Sequence, residues 1–190
     1  IVRDDGTFGG GALSYVETVG NGWFLRGRLA AAVGSVDYRS DEDDRIDNVT
    51  QSIGQLEVHA GRDFRLGGGA TVTTFAGLGS RALIDDSGGE ETDTGLIGYD
   101  REVSYAYVPV GIAARIPAGR AAFTLSAQYN WVVGGEVDSN FSDVDPALPD
   151  VDLELDGGHG FEASAMAELP VGRRAVRVCA MKRYRPSPAS

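Results

Sequence analysis

Lysine, cysteine and long apolar runs are nearly missing from this chain of 190 residues. With Cys179 as its single cysteine it forms no internal disulfide, and without a CxxC or Cys/His cluster it offers no metal or redox site of that kind. No run of about 18 apolar residues occurs, which excludes a transmembrane helix. The opening IVRDDGTFGG lacks the basic and apolar regions of a signal peptide, so an exported protein would be present here as its mature chain. Membrane barrels carry no hydropathy peak, and a missing apolar run leaves them open. Positive charge is also scarce: 17 Lys and Arg face 28 Asp and Glu, a net charge of −11. That balance excludes nucleic-acid binding, because the phosphate backbone would be repelled.

Helical spacing is absent, and alternation takes its place. In RAAFTLSAQYNWVV, residues 120–133, Phe123, Leu125, Ala127, Tyr129, Trp131 and Val133 share one side, opposite Thr124, Ser126, Gln128 and Asn130. A period of two marks a β-strand. The 27 glycines cluster between such segments without a fixed repeat, as turns and bends of an all-β fold do. Eight strands are expected, at 10–19, 22–38, 52–65, 70–84, 102–116, 120–137, 159–169 and 174–184, in one domain over 1–190 with irregular tails at 1–9 and 185–190.

Short links, VGNG (19–22), LGGG (66–69), PAGR (117–120) and PVGRR (170–174), alternate with long acidic ones at 40–51, 85–102 and 138–160. All short turns then lie at one end of an up-and-down array and all long loops at the other. With its two-faced strands, this asymmetry resembles the small outer-membrane β-barrels of Gram-negative bacteria, the OmpA/OmpX-like class. The resemblance covers nearly the whole chain and rests on pattern, with no catalytic signature. It implies an antiparallel up-and-down barrel in the bacterial outer membrane, short turns in the periplasm and long loops outside, surrounded by membrane lipid and lipopolysaccharide. Two features depart from the family. Both chain ends fall on the long-loop side, as in a ten-stranded parent shortened by one strand at each end, and the tail RPSPAS replaces the usual terminal aromatic strand.

The two faces define candidate residues. Leu25, Leu29, Val108, Val110, Ile112, Phe123, Leu125, Tyr129 and Trp131 are expected to face lipid, with Trp23, Phe123, Tyr129 and Trp131 as an interfacial belt. Arg26, Arg28, Glu57, His59, Arg81, Arg115, Glu162 and Glu168 fall on the other face, where paired charges would fill a narrow interior. The alternative is a soluble, lipocalin-like barrel, with the apolar face lining a ligand pocket and GNGW as its Gly-x-Trp. Solvated strand faces usually carry long charged chains, however, and this chain has one lysine, Lys182. A third class, a lipid-modifying barrel enzyme, would need His59 beside Glu57 with Ser80 as its hydroxyl; His159 reads as a solvated turn residue. No catalytic residue, metal or cofactor is assigned. The acidic loops match no calcium-loop spacing and are read as a surface for a protein partner. Val151, Leu153 and Leu155 alternate in a way that would prolong a hairpin above the membrane or form a protein-contact strand.

Overall fold

The structure is a computed structural model that describes residues 3–39, 45–90, 95, 97–171 and 174–184. It is one antiparallel sheet of β1 (Arg3–Gly20), β2 (Trp23–Arg39), β3 (Arg45–Arg65), β4 (Thr71–Asp86), β5 (Arg101–Ala118), β6 (Ala121–Ser139), β7 (Val151–Leu155), β8 (Gly158–Val171) and β9 (Arg174–Tyr184). Each strand pairs with the next, except that β6 pairs with both β7 and β8. The up-and-down order thus agrees with the alternating links. Among the described residues no ladder joins β1 to β9, and the sheet is open along that seam.

Several strands outrun their expected limits. Residues 3–9, expected to be irregular, continue β1 by pairing with β2 as far as Arg3 with Arg39. β3 begins at Arg45, inside the expected loop 40–51. These additions, RDDGTFG and RIDNVTQ, have no clean apolar alternation; they pair nonetheless, because a ladder is made by backbone groups whatever the side chains are. The irregular tail expected at 185–190 lies outside the described residues. Within the third long loop, β7 pairs with β6 from Gly135–Leu155 to Ser139–Val151, so Val151, Leu153 and Leu155 do prolong that hairpin.

The tight turn between β1 and β2 needs left-handed backbone at three successive residues, with φ of 108° at Gly20, 50° at Asn21 and 79° at Gly22. Glycine and asparagine tolerate that region at least cost. Inside the strands, glycine has a different use. A Cβ at Gly61 would collide with the Phe24 ring, at Gly79 with the Tyr107 ring and at Gly111 with the Phe75 ring. Each aromatic ring occupies the space a side chain would take at a glycine of another strand.

Curvature follows from the contacts on one face. Gln128 on β6 donates to Glu57 on β3 at 2.9 Å, although two strands separate them in the sheet. The face carrying these polar groups is therefore concave. β6 also contains a bulge: Tyr107 pairs with Val132 and Ala106 with Gly134, which leaves Val133 extra. Beyond it the alternation reverses, so Val137 and Ser139 are buried where odd positions earlier in the strand were exposed.

Candidate functional site

The buried interior has a polar middle bracketed by apolar layers. Towards the tight turns lie Phe24 and Phe75, and towards the long loops Val36, Val49, Leu83 and Val137, all buried. Between them Glu57 is the hub, with 2% of its surface exposed. Its Oε2 accepts from Arg28 Nη1 at 3.1 Å. Its Oε1 accepts from Tyr107 Oη at 3.0 Å and Gln128 Nε2 at 2.9 Å. Tyr107 in turn accepts from Gln55 Nε2 at 2.8 Å, and Gln55 Oε1 accepts from Arg81 Nη2 at 2.9 Å. Arg81 also donates to Tyr105 Oη at 3.2 Å. Four strands thus meet at one carboxylate, and a buried charge held this way avoids the penalty of an unpaired one.

Beside the hub, fully buried His59 accepts on Nδ1 from Arg26 Nε at 3.3 Å. A proton then sits on Nε2, which is 4.0 Å from Glu57 Oε1, too far for a hydrogen bond. The imidazole meets Phe75 edge-on at 5.0 Å, and the Arg26 guanidinium lies 4.9 Å from the centre of the same ring. Ser80, the hydroxyl considered for His59, is exposed on the opposite face of β4, whereas the residue paired with His59 is Gly77. The imidazole is held by a cation and a ring, with no nucleophile in reach among the described contacts. His159 is the second residue of β8, exposed, with its ring stacked 6.3 Å from Tyr129.

Seven of the eight inward candidates, Arg26, Arg28, Glu57, His59, Arg81, Glu162 and Glu168, are buried or half-buried. The eighth, Arg115, pairs with Glu168 at 3.6 Å near the tight-turn rim, where the arginine side chain is 48% exposed. Sequence reading missed Gln55 and Gln128 as members of the network and assigned the tyrosine hydroxyls no role. The available signal was parity: Gln55 and Glu57 alternate on β3, and Gln128 repeats that polarity on β6.

On the convex face the order is inverted. Leu25, Leu29, Val110, Ile112, Phe123, Leu125, Tyr129 and Trp131 are all exposed, and Val108 is half-buried beside its cross-strand neighbour Trp131. Between positions 23 and 33 of β2, 54 and 60 of β3, 72 and 84 of β4, 104 and 116 of β5, 123 and 133 of β6, and 161 and 169 of β8, the outward alternate positions hold no charged residue. On β6 this stretch runs from Phe123 to Val133, close to the 9–11 residues that cross a hydrocarbon core. Arg62 ends the belt at the tight-turn end, its guanidinium 5.6 Å from the Trp23 ring and 5.3 Å from the Phe64 ring.

Above the belt the long loops pack on one another. The Tyr99 and Phe141 rings are 4.5 Å apart, Asn140 N–H donates to the Asp100 carbonyl at 3.0 Å, and Asp100 N–H donates to Asp143 Oδ2 at 3.3 Å. Asp150 accepts from Ser142 N–H at 3.0 Å, which with the Ser142 hydroxyl holds its carboxyl below the usual aspartate range. No protein-family model, curated protein or solved structure matches the chain.

Proposed function

We propose that the protein is an outer-membrane β-barrel of structural or surface-contact role, anchored by its convex face in lipid and presenting its acidic loops outside to lipopolysaccharide and a protein partner. The observation that carries this reading is the exposed, charge-free face shared by β2–β6 and β8, set against a buried charged interior. Water-soluble sheets place their apolar side inward, and large exposed apolar surfaces mark contact with lipid or protein. A membrane barrel needs the reverse order. β1 runs towards the tight turns and β9 away from them, so antiparallel pairing of the two would close eight strands, as hydrocarbon requires of any sheet edge. The packed polar interior suits an anchor better than a wide channel. A soluble barrel with an apolar pocket would need Leu125, Tyr129 and Trp131 inside.

Cell fractionation tests the proposal. The protein is expected in the outer-membrane pellet, released only by detergent, with a heat-dependent shift in gel mobility. Recovery as a detergent-free monomer from the soluble fraction would contradict it.

A further inference from the structure

The convex face is not uniformly bulky. Leu29, Leu56, Ser80, Ala106 and Gly134 stand in one cross-strand row from β2 to β6, and the next row passes through Gly54, Ala82 and Ser104 to Glu136. The small residues form the floor of a groove of about 820 Å³, and the next row towards the tight turns carries the exposed Leu78 and Trp131. Four steps of about 4.8 Å between strands make the row roughly 19 Å long. Its ends differ. Leu29 and Leu56 line one, and Glu136, Glu154 and Asp156 line the other.

The acidic end carries an electrostatic tension. Glu136 stands directly opposite Glu154, and Asp138 opposite both Asp152 and Glu102, all at exposed or half-exposed positions on the same face. Like charges across a strand pair are unfavourable. The basic residues of β4–β7 are Arg81, Arg101 and Arg115, all at the parity of the concave face; Arg81 lines the groove, but its guanidinium donates to Gln55 Oε1 and Tyr105 Oη, away from these carboxylates. Among the described residues no His, Cys, Asp or Glu converge as metal ligands would. What complements the groove is a single positive charge on an apolar tail.

We infer that this groove binds a membrane lipid with a cationic, amine-bearing headgroup, its chain on the Leu29–Leu56 side and its positive group between Glu136 and Glu154. The inference rests on the membrane reading, because it takes the ligand from the surrounding bilayer. Native mass spectrometry from an uncharged detergent, with hexadecyltrimethylammonium, hexadecylphosphocholine and hexadecyl sulfate as probes of equal tail, tests it. The ammonium probe is expected to be retained at least ten-fold over the sulfate, E136Q/E154Q to reduce it to the phosphocholine level, and Ala106→Leu to abolish retention of all three by filling the floor. Equal retention of the three heads, or indifference to both variants, would overturn it. If the protein proves soluble without detergent, the same probes are added below their micelle concentrations. Head-selective retention there would leave the groove's chemistry standing while the membrane reading fails, and no selectivity would remove both.

Discussion

At the scale of single residues, the interior depends on exchanges between large and small side chains. Gly79 has no side chain because the Tyr107 ring occupies that space, and the Tyr107 hydroxyl then reaches Glu57. Gly79→Ala is therefore expected to destabilise by about 1–3 kcal/mol, the usual cost of overpacking. Combined with Tyr107→Ala its effect should be less than additive, since the clash partner is gone. Denaturant unfolding of both single variants and the double variant checks this. Glu57→Leu leaves Arg28, Tyr107 and Gln128 without their shared acceptor and should cost about 3–5 kcal/mol. A loss below about 1 kcal/mol in the same titration would show that the hub does not organise the interior. The sequence revealed that Arg26, Arg28 and Glu57 share a face, because parity is a local property. That Glu57 would meet Gln128 across the sheet was not legible, since it depends on curvature that no single strand encodes.

At the scale of elements, strands were read well where one face is apolar and poorly where it is not. The alternation over 120–137 nearly matches β6, Ala121–Ser139, while the expected start of β1 at 10 falls short of Arg3 because Asp4, Asp5 and the glycines after them carry no amphipathic signal. The reversal at Val133 was equally hidden, since a bulge is a relation between two strands. The loop hairpins give a pH prediction. Hydrogen bonds from Ser142 hold the Asp150 carboxyl below its ordinary value of 3.8, so the ionised form favours the ordered loop. That contribution is present above about 3.8 and is lost as pH falls through the depressed folded value. Amide exchange at Ser142 should therefore quicken in that acid window and be fast at all pH values in Asp150→Ala, which has no side-chain acceptor. Unchanged protection across the window would show that the contact does not order the loop.

At the scale of the molecule, the decisive matter is which face meets water, and periodicity alone left it open. Both arrangements predict the same alternation; only the direction of curvature separates them, with His59 and Glu57 buried and Leu125 and Trp131 exposed. Leu125→Arg gives a direct consequence. On a lipid face, one outward position inside the end of the charge-free stretch, it should cost about 1–2 kcal/mol. On a water-exposed face it should stay within about 0.5 kcal/mol. Unfolding in vesicles reads the difference.

The central claim, that the convex face lies in lipid, is tested most directly by the two tryptophans. Trp23 and Trp131 are the only ones in the chain, and both are exposed on that face, by 50% and 63%. The measurement is tryptophan emission of the protein folded into phospholipid vesicles, with and without bromine on the acyl chains. The account predicts blue-shifted emission that brominated chains quench at both positions, resolved with the single Trp→Phe variants. Red-shifted emission that bromine leaves unchanged, from protein that stays in the aqueous phase, would contradict it.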